Sequence, residues 1–180
     1  KGPGIELFRC AEENLGWHEV IAEDLGYMTD SVRQMVKDSG FPGMKVIEFA
    51  FDSRDSSSAA DYLPHTYPVN SVCYTGTHDN LTLAQWFQEA APEDVSLAKD
   101  YLGLNDEEGP IWGMIRGGMS SVSRLCIIQM QDYLELGASA RMNFPGTLSS
   151  DNWTKKKKKE FITESLTKRI HAITQRYGRL

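Results

Sequence analysis

A β-prone run, Val72-Cys-Tyr-Thr75, gives way abruptly to Gly76-Thr-His-Asp-Asn80. A strand followed at once by these residues delivers an imidazole, a carboxylate and an amide to its own end. On a (β/α) scaffold such strand tips converge on one rim, the place where barrel enzymes keep their chemistry. Two more strand-like runs finish in the same way: His18-Glu-Val-Ile-Ala22 leads into Glu23-Asp-Leu-Gly26, and Leu125-Cys-Ile-Ile-Gln-Met130 leads into Gln131-Asp132. Three strands ending in carboxylates predict an acid-rich cleft, the setting for acid–base chemistry. Each group also has a structural reading. Spacing alone leaves Glu23 open between catalysis and capping the next helix, and His78 open between function and a satisfied core histidine. Asp132 reads as a helix cap or ion-pair partner and is left out of the site.

The elements that must position these groups alternate along the chain. Ile5, Phe8, Ala11 and Leu15 recur at helical spacing before Gly16. After the run Glu19 to Ala22, read as a buried strand, Thr29 is suited to cap a helix with Val32, Met35 and Val36 inward and Gly40 as its stop. Met44 to Phe51 reads as a strand after the Pro42-Gly43 turn. Residues 52–61 read as an exposed loop, continued by the aromatic- and proline-bearing stretch Tyr62 to Pro68. Helices follow at Leu83-Trp86-Phe87, after Pro92, and after Pro110. Leu136 to Ser150 is loop, and Leu166, Ile170, Ile173 and Tyr177 mark a last helix ending at Gly178. Such alternation favours parallel strands with right-handed crossovers. The unit of strand, polar tip and helix occurs four times, half of an eight-stranded barrel.

With 180 residues, 41% hydrophobic and 24% charged, the chain is of a size and composition for one sizeable core. The net charge of −6 argues against nucleic acid as a partner. The lysine run 155–159 reads as a solvated face. Cys10, Cys73 and Cys126 fit no zinc or disulfide spacing and read as reduced core thiols, hence a cytoplasmic protein. No stretch reaches the roughly 20 apolar residues of a membrane helix, so no membrane role is expected. Lys1-Gly-Pro-Gly4 lacks both a leader pattern and a methionine and reads as the interior of a longer chain.

Five motifs occur in order: Ile21-Ala-Glu-Asp-Leu-Gly26, Phe41-Pro-Gly-Met-Lys-Val46 with Phe49-Ala-Phe51, Tyr62-Leu-Pro-His65, Tyr74-Thr-Gly-Thr-His-Asp-Asn80, and Ala140-Arg-Met-Asn143 with Pro145-Gly146. Together, over essentially the whole chain, they resemble the C-terminal portion of the amylomaltases, the 4-α-glucanotransferases or disproportionating enzymes of glycoside hydrolase family 77 in the α-amylase clan. The resemblance implies the α/β fold class, with residues 1–180 forming the C-terminal half, about strands five to eight, of a (β/α)8 TIM barrel. It implies transfer of α-1,4-glucan segments to glucose or glucan acceptors, maltooligosaccharides among them, by a retaining mechanism with no cofactor and no metal. By that resemblance Glu23 is the general acid/base and Asp79 stabilises the transition state. His78 holds sugar hydroxyls, and Phe49 and Asn143 lie near the glucan.

Retaining transfer uses one carboxylate as nucleophile and a second, about 5 Å away, as acid and then base. The family's nucleophile lies in an Arg-x-Asp-His motif that this sequence does not contain. The expectation is therefore a fragment of a longer enzyme, inactive alone, whose open barrel edges favour self-association. Aromatics of the stretch from Tyr62 to Tyr67 are expected to favour an incoming sugar over water. Two departures from the family pattern stand out: Glu48 stands where glutamine is expected in many relatives, a change expected to leave the chemistry intact but to alter a hydrogen bond beside Glu23, and lysines 155–159 replace a mixed aromatic and arginine segment. The competing readings are an α-glucan hydrolase of the same clan and a non-catalytic glucan-binding or structural fragment.

Overall fold

The computed structural model describes residues 2–26, 28–54, 59–156 and 158–180. Its centre is a parallel three-stranded sheet, β1 (Gly43–Val46), β2 (Ser71–Tyr74) and β3 (Leu125–Ile127), in that spatial order. The register sets Gly43 beside Ser71 and Val72 beside Leu125. On the outer side of β1, Ala22 forms a single parallel bridge to Gly43. The chain is thus a mixed α/β structure with parallel pairing throughout the described sheet.

Helices α1 (Ile5–Leu15) and α2 (Asp30–Ser39) precede the sheet. Thr29 accepts a hydrogen bond from the Val32 N–H, and Gly40 ends α2 in the left-handed region at φ 69°. Between β2 and β3 lie α3 (Leu83–Glu89), α4 (Pro92–Leu102) and α5 (Pro110–Met119), the last two opened by proline as expected. After β3 come α6 (Met130–Tyr133) and α7 (Glu164–Arg176). The core joins Ile47, Phe51, Cys73, Leu83, Trp86, Met114 and Ile115, with Ile173 of α7 sealing the outer side. Helix α5 comes close because it is smooth: a Cβ on Gly117 would stand 2.8 Å from Leu102, and one on Gly118 would stand 3.1 Å from Ile47.

The strands are shorter than the sequence suggests. The run from Glu19 is no buried strand: Val20 and Ile21 are exposed, and pairing stops at Ala22. The cause is local. The Asp24 N–H turns back to the Ala22 carbonyl at 3.1 Å, and the Asp24 carboxylate takes the Met44 N–H at 2.6 Å, which a continuing strand would have used. The run from Met44 leaves the sheet after Val46 and tightens into a 3₁₀ turn, Ile47–Phe51. That turn keeps Ile47, Ala50 and Phe51 buried, so the apolar sequence continues although the strand does not. The run from Leu125 ends at Ile127, and both residues are exposed on the edge strand β3.

The stretch 52–61 includes residues 55–58, which lie outside the described ones. Beyond it, Tyr67 is buried and donates its hydroxyl to the Tyr62 carbonyl at 2.7 Å. Tyr67 therefore belongs to the core and is not free to meet an acceptor sugar. Lys156, Lys158 and Lys159 are exposed, in keeping with a solvated run, while Lys157 lies outside the described residues. No helix among the described residues is long and apolar enough to cross a membrane.

Candidate active site

The turn after β2 is built by its own side chains. Asn80 Oδ1 accepts from both the Thr77 N–H (2.8 Å) and the Thr77 hydroxyl (2.7 Å), and the Asn80 N–H closes the turn on the Thr77 carbonyl. His78 and Asp79 are the residues lifted between these two anchors. Their side chains are about half exposed, with His78 Nε2 3.4 Å from Asp79 Oδ1.

A second segment, 64 residues later, folds onto them. Asn143 Nδ2 donates to Asp79 Oδ1 at 2.6 Å, and an Arg141 N–H donates to the Asp79 carbonyl at 2.6 Å. Arg141 also donates to the Asn143 carbonyl, so one guanidinium aligns both partners. The segment then returns: the Trp153 N–H bonds the Met142 carbonyl, and the Trp153 ring packs against His78, centroids 4.8 Å apart and planes tilted by 46°. Trp153 holds φ 63°, a left-handed conformation costly for a bulky residue, at the point where the ring must face His78. An imidazole, a carboxylate, an amide and an exposed indole thus share one strand tip, groups suited to sugar hydroxyls and to a sugar face.

The structure brings together Asp79, His78 and Asn143 of the expected residues. Arg141 and Trp153 join them without having been singled out, although Arg141 lies inside a motif already noticed. Glu23 makes none of these contacts. Nothing among the described residues hydrogen-bonds its exposed side chain, while its backbone is pinned on both sides by Ala22 and Asp24. It does not cap the next helix, because Thr29 does. Phe49 is partly buried, edge-on to Tyr62 at 5.3 Å.

The expected acid-rich cleft does not include Asp132. This residue is fully buried and accepts from the Thr75 hydroxyl at 2.6 Å and the Leu83 N–H at 2.8 Å, so it caps α3 across the fold. Burial pushes its carboxyl up to about 6 despite both donors. Asp132→Ala leaves two buried donors unpaired and is expected to destabilise the fold by about 2–4 kcal/mol, read as a lower urea midpoint at unchanged slope. A raised folded-state value also means that wild-type stability falls as pH rises through about 6, and Asp132→Asn should remove that component.

A recess of about 740 Å³ opens at the other end of the strands, where Phe8, Leu15, Phe41, Pro42, Ser71 and Leu125 are among its lining residues. Its lining mixes these apolar residues with Arg9, Glu12, His18 and Asp38, and it holds none of His78, Asp79, Asn143 or Trp153.

The profile of the 4-alpha-glucanotransferase family, glycoside hydrolase family 77, matches residues 1–161. The chain belongs to that family. Over 180 residues it is 48% identical to the 4-alpha-glucanotransferase of Clostridium butyricum, covering 99% of this chain and 36% of that one. The 4-alpha-glucanotransferase of Streptococcus pneumoniae serotype 4 is 41% identical, with 100% and 35% covered. The amylomaltase of Streptococcus agalactiae, solved in complex with acarbose, superposes with a TM-score of 0.91 at 36% identity over 99% of this chain and 35% of that one. The chain therefore spans about a third of the length of these family 77 relatives.

Proposed function

We propose that these residues supply the acid/base and the transition-state-stabilising carboxylate of a retaining 4-α-glucanotransferase whose complete barrel includes chain beyond them. In this reading residues 1–180 are about strands five to eight of a (β/α)8 barrel, with Ala22 on the first of these strands. The observation that carries the reading is the cluster of Asp79, Asn143, His78 and Trp153 at the tip of β2. It matches what a sugar ring requires: an anionic oxygen for developing positive charge, donors for hydroxyls and an aromatic face. Membership of family 77 and the acarbose complex of a relative support α-glucans as the substrates.

Glu23 then acts as acid for the departing glucan and as base for the incoming hydroxyl, its backbone fixed and its side chain free. Asp79 offers its carboxylate to the positive charge that develops at the ring. Phe49, only partly buried, is a further glucan contact. The nucleophile comes from outside these 180 residues, so alone they are inactive. No cofactor takes part.

The test is maltotriose incubated with the longer enzyme, its products separated by chain length. Glucose together with maltopentaose and a ladder of longer oligosaccharides is expected. Glucose and maltose alone, with no product longer than the substrate, would replace transferase with hydrolase.

A further inference from the structure

Glu48 lies inside the apolar run that leaves β1, yet it is only 5% exposed. Its Oε1 is buried without a hydrogen-bond partner. That atom is aimed at Gly76: a Cβ there would stand 2.8 Å from Glu48 Oε1 and 3.1 Å from Gln129 Nε2, which is also buried and unpartnered. The residue that begins the turn carrying His78 and Asp79 therefore rests on one group from the end of β1 and another from beyond β3. The Glu48 N–H donates to the Thr75 carbonyl (3.3 Å), and the Thr75 hydroxyl donates to the buried Asp132. Glu48 thus lies beneath the strand tip. Charged groups facing Glu48 are Asp132 of α6 and Arg141 of the returning segment.

Resting on the glucanotransferase reading, we propose that Glu48 is a positioning residue. As a neutral acid it supports the Gly76–Asn80 turn and so holds Asp79 at the sugar; its ionisation releases that turn and sets the alkaline limit of the reaction.

An unpaired carboxylate at this depth is costly, whereas the neutral acid is a modest dipole. Burial, with Asp132 next in size, holds the Glu48 carboxyl well above its usual range, and Arg141 opposes both in part. Asp132, pushed up to about 6, is ionised above that pH. Its charge then opposes a second negative charge nearby. The sign follows: the neutral acid is the low-pH form, and the support is lost as pH rises through the raised value. Glutamine has the same shape and cannot ionise.

The experiment is the pH profile of maltotriose disproportionation by the longer enzyme in wild-type, Glu48→Gln, Glu48→Ala and Asp132→Asn forms. Glu48→Gln is expected to move the alkaline limb of kcat upward by about one pH unit or more, with KM little changed. Glu48→Ala should lower kcat at every pH, with the glutamine variant restoring it. Superimposable wild-type and Glu48→Gln profiles would overturn the proposal.

A second reading does not depend on turnover. Infrared spectra at neutral pH should contain a protonated-carboxyl stretch that disappears in Glu48→Gln and survives in Asp132→Asn. No such loss would overturn the proposal on its own. If the band behaves as expected but the wild type never disproportionates maltotriose, the glucanotransferase reading fails, and the role of Glu48 at Asp79 fails with it.

Discussion

Replacing Glu23 by alanine in the longer enzyme is expected to lower maltotriose disproportionation by about 10²–10⁴-fold, the usual contribution of a positioned acid or base. The loss should fall on kcat, because in the proposed mechanism both bond-breaking to a poor leaving group and deprotonation of the acceptor depend on this carboxyl. The fold should be unaffected. Ala22 and Asp24 anchor the backbone through the Pro42 carbonyl and the Met44 N–H, and the Glu23 side chain contributes no hydrogen bond to either. Equal thermal midpoints for the two proteins, alongside the kinetic loss, would separate chemistry from stability.

Asp79→Asn is expected to cost about 10²–10³-fold in kcat, in the range found when one preorganised electrostatic group is removed. The substitution keeps the size of the side chain and removes its charge. Asn143 donates to Asp79 Oδ1 and Arg141 to the Asp79 carbonyl, so the group is already oriented before a sugar arrives. Preorganisation of this kind contributes in the transition state more than in the ground state. The expected signature is therefore a large fall in kcat with a small change in KM. A rise in KM with kcat intact would make Asp79 a ground-state binding residue.

What could be read from the sequence was local. Thr29, Gly40, Pro92 and Pro110 mark helix ends through chemistry confined to one turn, and the structure has those ends. The His78-Asp79 tip was legible for the same reason, since one strand and its exit lie within a few residues. Strand lengths were not. Ile47, Ala50 and Phe51 are apolar where a 3₁₀ turn buries them, and burial looks the same in sequence whether the backbone is extended or coiled.

The second half of the candidate site was hidden by distance. Arg141 reaches Asp79 across 62 residues of chain, and Trp153 reaches His78 by a loop return that no periodicity encodes. Glu48 was visible only as a departure from a family pattern. Its burial beneath Gly76 depends on three strand ends meeting, which emerges only when the sheet is assembled.

The central claim, that Glu23 is the acid/base of a retaining transfer, is tested most directly by chemical rescue. An α-glucosyl fluoride donor needs no acid to expel fluoride, so the Glu23→Ala enzyme should still form its glycosyl–enzyme and then stall for want of a base. Azide needs no deprotonation. The account predicts that azide accelerates turnover of Glu23→Ala, not of wild type, and that the product is the α-glucosyl azide, with retained configuration. A β-azide would put Glu23 in the nucleophile's place, and no acceleration at all would remove it from the chemistry.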